Sequence, residues 1–329
     1  MTPLAPHLAA FLREHLPHER TCSGHTCEAY AYAFQLFLRF AAARCSTSPS
    51  LLTLEQLDAP LVLAFLEHLE TVRNNSPATR NARLAAIKSF ARFLEYRVPS
   101  ALDQVRCILA IPFKKTNEVL VDYLDRQELQ ALLDAPDPTT VAGIRDRAML
   151  HLAFAAGLRV SELIGLRLDD LSTHPHAAIH VHGKGRRERV LPLWRETTSA
   201  LRGWIAVRGD IPAPELFLNA RGCPLTRSGF EYILAKHVKT ASESCPSISS
   251  KRVSPHVLRH TCAIHTLQAT RDVRKVALWL GHASIKSTEI YLRADPTEKL
   301  AALQAGVAPS LRRGRFHAPD ELLAMLRPK

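Results

Sequence analysis

A tyrosine near the end of the chain, Tyr291, stands in surroundings that could give its hydroxyl a chemical role. It belongs to the stretch LGHASIKSTEIYLR (280–293) and follows His282 by nine residues. Gly281 allows the left-handed backbone on which many helices end, and Ser284 can cap the short helix that follows. A tyrosine hydroxyl held beside a phosphodiester can attack the phosphorus and form a covalent phosphotyrosine. Most isolated tyrosines are simply buried with one hydrogen-bond partner, so a chemical role for Tyr291 depends on the residues upstream of it.

Two upstream stretches carry cations that suit a phosphodiester. Arg159, within AGLRVSEL (156–163), follows a glycine at a helix start, and Glu162 one turn later can brace its guanidinium. Lys184 lies between two glycines at a predicted hairpin turn, from which it can donate a proton to a departing oxygen. Taken alone, each is more typical of an ordinary surface ion pair or a solvated turn lysine.

A third upstream stretch places two groups at the positive end of a helix. Ser254 is a good N-cap and Pro255 suits the first helical turn, so a helix is predicted to begin here. His256 and Arg259 then lie one turn apart on one face, where a helix N-terminus favours a phosphate. An imidazole at this position can move a proton near neutral pH.

In this order, the motifs resemble the full signature of the tyrosine recombinase/integrase family. The matching positions are Arg159, Lys184, His256-x-x-Arg259, Leu280-Gly-His282 and Tyr291. The resemblance extends from about residue 120 to about residue 300, and residues 1–110 resemble the family's helical core-binding domain only in length and pattern.

The resemblance implies how such a site would work. Tyr291 attacks the scissile phosphate, which gives a 3′-phosphotyrosyl link and a free 5′-hydroxyl. Arg159 and Arg259 neutralise the non-bridging oxygens while charge builds in the transition state. Lys184 protonates the leaving 5′-oxygen. A 5′-hydroxyl from another strand then reverses the attack and reseals the DNA.

The resemblance also implies supporting roles and partners. His256 assists proton transfer at Tyr291, and His282 hydrogen-bonds the phosphate. Glu162 supports the site without direct chemistry. The scheme needs no metal, no ATP and no other cofactor. The implied partners are double-stranded DNA, held between the two domains, and further copies of the chain in a tetramer on two DNA sites. A related recombinase or an accessory protein is a further candidate. The segment 297–304 is expected to dock on a neighbouring protomer or on its own domain.

Hydrophobic periodicity predicts a mainly α protein with a small β-sheet. Residues 28–44 trace one apolar stripe, which is typical of a helix. Ala177–His182 and Arg186–Leu193 alternate as the two strands of a hairpin. The predicted domains are an N-terminal helical core-binding domain (1–110), a linker (111–118), a C-terminal mixed α+β catalytic domain (119–310) and a basic tail (311–329).

The chain is strongly basic, with a formal net charge of +12 and an isoelectric point near 9.6. Such a balance favours a polyanionic partner, because each neutralised phosphate releases condensed counterions. The predicted DNA contacts are Arg80, Arg83 and Lys88 on the helix that follows Ser76, and Lys114 and Lys115 in the linker. A basic helix face is more often simply solvated, so this prediction depends on the overall charge.

Cysteine usage and the absence of long apolar runs predict the compartment. The seven cysteines are scattered without a CxxC pair, which indicates reduced thiols rather than a disulfide framework or a zinc site. No signal peptide and no apolar run long enough to cross a bilayer are found in the sequence. We therefore expect a cytoplasmic protein without a membrane partner.

Four histidines, His174, His176, His180 and His182, form a separate cluster. The last two lie on one face of a predicted strand, so metal ligation is one interpretation. No cysteine or carboxylate flanks them in the sequence. The favoured interpretation is a surface loop and a DNA-facing strand, with no metal site.

Two other functions fit part of the pattern. A type IB topoisomerase uses a similar set of arginine, lysine, histidine and tyrosine, and would relax supercoils without pairing two sites. A DNA-binding regulator could retain the constellation without cleaving DNA. The separate helical first domain and the Leu280-Gly-His282 spacing favour a recombinase, with mobility of a genetic element as the expected biological role.

Overall fold

The computed structural model describes residues 1–116, 120–172, 176–183, 188–282 and 284–295. The predictions for Lys184, His174, the segment 297–304 and the tail 311–329 therefore lie outside the described residues. Two compact units divide the chain, Met1–Glu118 and Val119–Lys329. Within the described ranges, no helix is both long and apolar enough to cross a lipid bilayer.

The first unit consists of helices joined by short turns. Its elements are α1 (Leu4–Ala10), a π-helix (Phe11–Glu19), α2 (Gly24–Arg44), two 3₁₀ turns (Pro49–Leu51 and Leu54–Gln56), α3 (Ala59–Thr71), α4 (Pro77–Arg97), a third 3₁₀ turn (Pro99–Ala101) and α5 (Leu102–Ala110).

Aromatic side chains form the centre of the first unit. The ring of Phe11 lies 6.0 Å from that of Phe34 and 5.3 Å from that of Phe90, both in edge-to-face contact. This arrangement is preferred because the positive edge of one ring meets the negative face of the next. The predicted apolar stripe of α2 is buried at Phe34, Phe37 and Ala41, as a helix period requires.

The segment after α5 packs on α4 within the first unit. Ile111 is buried in the core. The Asn81 side chain donates to the Lys114 carbonyl at 2.8 Å and accepts from the Lys114 amide at 3.0 Å. The described part of the segment 111–118, predicted to be a linker, is therefore attached to the first unit.

The second unit combines helices with one small sheet. Its elements are α6 (Arg126–Asp134), α7 (Val141–Ala155), α8 (Val160–Ile164), a 3₁₀ turn (Leu168–Asp170), β1 (Leu171–Ser172), β2 (Ala178–His182), β3 (Glu188–Pro192), α9 (Arg195–Arg208), α10 (Arg227–Ser244), a 3₁₀ turn (Pro246–Ser250), α11 (Pro255–Thr270), α12 (Val273–Leu280), a 3₁₀ turn (Ile285–Ser287) and α13 (Glu289–Ala294).

The sheet is antiparallel, with the strand order β1-β2-β3. Ile179 and Val181 on β2 and Leu191 on β3 point into the core, while the alternate residues are more exposed. The predicted hairpin is present, although its second strand is described only from Glu188. The prediction of a mainly α protein with a small sheet is confirmed.

Local sequence signals begin and end the elements around the candidate site. The Ser254 hydroxyl accepts the Val257 amide at the start of α11. Gly281 ends α12 in the left-handed conformation, with φ +64°. Gly157 also has a positive φ, of +55°, and a Cβ there would stand 2.6 Å from Cδ2 of Leu280, so a glycine is required where α7 ends.

Candidate active site

Tyr291 lies on α13 and is almost wholly buried, with 2% of its surface exposed. The helix follows the 3₁₀ turn that Ser284 caps, as the sequence predicts. The Tyr291 hydroxyl lies 3.1 Å from Nδ1 of His260. Burial raises the pKa of Tyr291, although the nearby Arg259 charge opposes the rise. The phenol therefore keeps its proton in the DNA-free chain.

His260, which the motif analysis did not single out, is the partner of that hydroxyl. Burial, reinforced by the charges of His256 and Arg259, lowers the pKa of His260 to about 4. Its imidazole is neutral near pH 7, so Nδ1 can accept the proton that the Tyr291 hydroxyl donates. The signal in the sequence was available: His260 directly follows the His256-x-x-Arg259 motif.

His256 does not contact the tyrosine in this structure. Its side chain is exposed, and its ring centroid lies 6.4 Å from that of His260. The two histidines are four residues apart and share one face of α11, with His256 nearer the helix start. The expected contact with Tyr291 is thus made by His260. A role for His256 on bound DNA stays a prediction.

Arg259 joins three segments of the second unit. It is 4% exposed. Its guanidinium donates to the carbonyls of Gly157, at 2.5 Å, and Leu280, at 2.7 Å. Burial and the nearby Arg159 lower the pKa of Arg259 to about 10, so the group stays charged at neutral pH. These contacts fix a cation beside Tyr291.

Glu162 lies among three guanidinium groups. Its oxygens accept from Arg159 Nη1 at 2.7 Å and from Arg189 Nη2 at 2.8 Å, and Arg259 Nη1 is 3.8 Å away. Burial raises the pKa of Glu162, but the hydrogen bonds from Arg189 and the Arg159 backbone outweigh it, so the pKa is lowered overall. We call Glu162, Arg159, Arg189 and Arg259 the guanidinium cluster.

Arg189 was missed by the motif analysis. It lies on the inward face of β3, two residues before the buried Leu191, with a side chain only 9% exposed. Its Nε is buried and has no hydrogen-bond partner among the described residues. A charged residue at an inward position of an alternating strand was the signal that could have identified it.

His282 packs beside the tyrosine. Its Nδ1 lies 2.7 Å from the Thr288 hydroxyl. Its ring stacks against Tyr291 with centroids 6.3 Å apart and planes at 14°. Burial, reinforced by the charges of Arg259 and Arg159, lowers the pKa of His282 to about 4, so this imidazole is also neutral.

Two of the predicted DNA contacts of the first unit donate to the unit's own backbone carbonyls. Arg80 is 5% exposed and donates to the Pro112 carbonyl at 3.1 Å. Lys88 donates to the Leu109 carbonyl at 2.7 Å, and burial lowers its pKa. These contacts disfavour a direct DNA contact by either residue in the DNA-free chain, and for both the contact stays a prediction.

Of the other three basic residues, Arg83 is half-buried and the two lysines are exposed. The Arg83 guanidinium stacks 4.9 Å over the Tyr32 ring. Lys114 forms a 2.8 Å ion pair with Glu70, and its side chain is 54% exposed. Lys115 is exposed. Their contact with DNA stays a prediction.

A set of possible metal ligands lies on the sheet. Among the described residues, one group could hold a metal ion: Asp170, His180 and His182, whose ligand atoms all lie within 4.8 Å of one another. The sequence showed no carboxylate beside these histidines, but the fold supplies one from the turn before β1.

Two family models match the chain over separate regions. The model of the phage integrase family matches residues 122–298, which is more than half of the chain. The model of the N-terminal SAM-like domain of phage integrases matches residues 8–97. This chain belongs to the phage integrase family. The first match includes every predicted catalytic position of the integrase, from Arg159 to Tyr291.

Individual relatives support the same assignment. A putative integrase/recombinase of Sinorhizobium fredii, y4rC, is 44% identical over 325 residues, which cover 98% of this integrase and 97% of the relative. The tyrosine recombinase XerC of Pelobacter propionicus is 36% identical over 292 residues, covering 88% of this integrase and 91% of the relative. Membership of this family supports site-specific recombination.

Solved recombinases share the fold of the integrase. The post-cleavage complex of XerH with palindromic difH has a TM-score of 0.66 at 22% identity, and covers 87% of this chain and 81% of that chain. The Tn1549 transposon integrase bound to transposon right end DNA has a TM-score of 0.65 at 18% identity, covering 89% and 98%. At these identities, the likeness concerns the fold alone.

Proposed function

We propose that this integrase is a site-specific DNA recombinase that cleaves and rejoins strands through a 3′-phosphotyrosyl intermediate at Tyr291. One observation carries the proposal: the Tyr291 hydroxyl is hydrogen-bonded to a neutral imidazole, that of His260, at 3.1 Å. The positive charges of Arg259 and Arg159 favour the ionised form of the same hydroxyl and so oppose the rise in its pKa. A nucleophile, a proton acceptor and two cations therefore meet within one buried site.

The two pKa shifts disfavour proton transfer from Tyr291 to His260 in the DNA-free chain. The pKa of Tyr291 is raised and that of His260 is lowered to about 4, so proton transfer between them is strongly uphill in the free chain. A DNA phosphate brought near the imidazoles favours their charged form, which makes His260 a better proton acceptor. His260 thus orients the hydroxyl, and the proton leaves when the phosphate is in place. His256, exposed at the start of α11, assists this transfer from the DNA side.

The guanidinium cluster stabilises the transition state. Arg159 is the accessible cation, because 34% of its side chain is exposed, and Glu162 holds it in place. Arg259 is held by two carbonyls. Each guanidinium has several N–H donors, so these contacts leave donors for the non-bridging oxygens. Loss of one such donor slows comparable reactions by about 10²–10³-fold.

The remaining groups complete the bond exchange. The Tyr291 oxygen forms a bond to phosphorus while the bond to the 5′-oxygen breaks, and Lys184 protonates that oxygen. When Nδ1 of His282 accepts a hydrogen bond from the Thr288 hydroxyl, its Nε2 carries the ring hydrogen and can donate to the phosphate. The 5′-hydroxyl of a second strand then attacks the phosphotyrosine and releases Tyr291. No metal, ATP or other cofactor enters the scheme.

The proposed partner is double-stranded DNA. The charge of +12 supports it, as do the XerH and Tn1549 integrase structures, which are complexes with DNA. Lys114, Lys115 and Arg83 supply phosphate contacts from the first unit. Exchange between two sites requires four strands, so a tetramer forms on DNA, and the activity belongs in the cytoplasm. Integration or mobility of a genetic element is the proposed role, in agreement with the y4rC relative, a putative integrase/recombinase.

Covalent capture tests the proposal without knowledge of the target sequence. Purified wild-type integrase, Tyr291→Phe and Tyr232→Phe are incubated with fragmented genomic DNA and stopped with detergent. DNA that stays attached to protein is recovered and sequenced. Tyr232 is the matched control, since it is a tyrosine of the same unit that is 73% exposed. We expect attachment through the 3′ end at one recurring sequence for the wild type and Tyr232→Phe only.

Each other outcome points to a different function. Attachment scattered over many sequences would indicate a type IB topoisomerase. Tight, salt-sensitive binding without attachment would indicate a regulator. Attachment that survives in Tyr291→Phe would show that another residue is the nucleophile.

A further inference from the structure

Two histidines and two carboxylates converge at one end of the sheet. His180 and His182 are two residues apart on β2, so they share a face, and their ring centroids are 4.4 Å apart. Glu188, the first residue of β3, pairs with His182 across the strands. Asp170 ends the 3₁₀ turn that leads into β1, on the other side of β2.

The ligand atoms of these groups lie close enough together to converge on one ion after side-chain adjustment. Asp170 Oδ1 lies 3.1 Å from Nε2 of His182, and Glu188 Oε2 lies 3.0 Å from Nε2 of His180. One ligand atom each of Asp170, His180 and His182 lies within 4.8 Å of the others. Ligand atoms about 2.1 Å from a tetrahedral zinc ion are about 3.4 Å apart, so small side-chain rotations suffice to bring them onto one ion.

Asp170 is already oriented for such a role. Its other oxygen, Oδ2, accepts the Arg167 amide at 2.8 Å, and its side chain is only 10% exposed. A second hydrogen bond of this kind fixes a ligating carboxylate and leaves one oxygen for the ion. The side chains of His180 and His182 are 37% and 57% exposed, so a hydrated ion can reach them.

Surface ion pairing alone is the competing explanation for the cluster. Exposed ion pairs contribute little to stability, and Glu188, which contacts both imidazoles, does not need two of them for that purpose. The donor set also selects among ions. Imidazole nitrogens with carboxylate oxygens suit zinc and its transition-metal neighbours, whereas calcium and magnesium prefer oxygen ligands alone.

We propose that Asp170, His180 and His182 form a binding site for a zinc-class divalent cation, with Glu188 as the fourth ligand. The ion joins the turn before β1 to β2 and β3. It also restrains the two strand ends from which the connection carrying Lys184 departs. Binding is measured without DNA, so this site stands or falls independently of the recombinase proposal.

Calorimetric titration with Zn²⁺ alone tests the site in the full-length protein after chelator treatment and dialysis. We expect one saturable site in the wild type, with a Kd at least tenfold higher in His180→Ala/His182→Ala and in Asp170→Asn. His25→Ala is the matched control, because His25 is an exposed histidine 3.4 Å from a single carboxylate, that of Glu28. Its Kd should equal that of the wild type.

The seven cysteines require a second measurement, because thiolates also bind zinc. Titration with Co²⁺ should give the absorption of a nitrogen and oxygen site without a thiolate charge-transfer band. Circular dichroism checks that each variant is folded, and His182→Gln replaces the double variant if that one is not. The proposal is overturned by the absence of saturable binding, by equal affinity in wild type and folded variants, or by a thiolate spectrum.

Discussion

Replacing Glu162 by glutamine should destabilise the second unit strongly. The carboxylate is 4% exposed and accepts hydrogen bonds from Arg159 at 2.7 Å and Arg189 at 2.8 Å. Glutamine has the same shape, but it lacks the charge. It also turns one acceptor oxygen into an NH₂ donor that faces guanidinium donors. Three cations would then remain together without their counter-charge.

The expected loss can be derived from these contacts. Removing one partner of a buried ion pair costs about 3–5 kcal/mol, because the other charge stays buried without compensation. Arg189 and Arg259 are buried, but the Arg159 side chain is 34% exposed, so water offsets part of its share. We therefore expect a loss of about 3 kcal/mol in the free energy of unfolding.

Urea unfolding followed by tryptophan fluorescence measures this loss. All three tryptophans, Trp194, Trp204 and Trp279, belong to the second unit, so the signal reports on that unit alone. Glu231→Gln is the matched control. Its partner Arg227 lies 2.9 Å away in an exposed pair, for which we expect a loss below about 1 kcal/mol. Equal losses in the two variants would refute the proposed buried charge cluster.

The pH dependence provides an independent check on Glu162. Its pKa in the folded chain is lowered, so the charged carboxylate stabilises the fold above the unfolded pKa of about 4.3. That contribution is lost as the pH falls through the lower, folded pKa. Glu162→Gln should therefore lose less stability than the wild type as the pH is lowered. An equal loss at low pH would contradict a stabilising Glu162 carboxylate.

Three further predictions concern single positions. The pKa of His260 is about 4 in the fold, below its ordinary value of 6.5. As the pH is lowered, the unfolded chain therefore binds a proton before the folded chain does, and the free energy of unfolding should decrease from about pH 6.5 to about pH 4. His260→Gln should flatten that fall in the tryptophan assay, and an unchanged slope would argue against the buried neutral imidazole. Gly157→Ala should destabilise the second unit by about 1–3 kcal/mol in the urea titration, because of its positive φ and the close Leu280 side chain; a neutral result would contradict this close packing. Lys115→Ala should reduce the salt slope of DNA binding by about one, while Arg80→Ala should leave that slope unchanged and destabilise the first unit by about 1–3 kcal/mol. Filter binding at several salt concentrations and circular dichroism during urea unfolding measure the two effects, and the reverse pattern would restore Arg80 as a DNA contact.

Some elements of the integrase follow from neighbouring residues alone. The caps at Ser254 and Ser284 and the left-handed Gly281 are as predicted, because each depends on contacts within about one helical turn. The helical stripe of α2 is equally local, since its apolar residues repeat with the helix period. The order of the family motifs could likewise be read without any structure.

The charged face of α4 shows where a local pattern is insufficient. Arg80 and Lys88 resemble a phosphate-binding face in the sequence, but they donate to the Pro112 and Leu109 carbonyls. Those acceptors lie beyond the end of α4, on a segment that folds back against it. A helical pattern records which residues share a face, but it does not record what covers that face.

The site itself combines both kinds of information. The sequence by itself determined the residue types, the order of the motifs and the helix ends that carry them, because these depend on short-range hydrogen bonds and apolar periodicity. Only the tertiary structure decided that His260 rather than His256 meets Tyr291, that Arg189 joins Glu162, and that Asp170 reaches His182. Each of these contacts joins residues from different segments. Their distances depend on how helices and strands pack, and packing is a property of the whole unit.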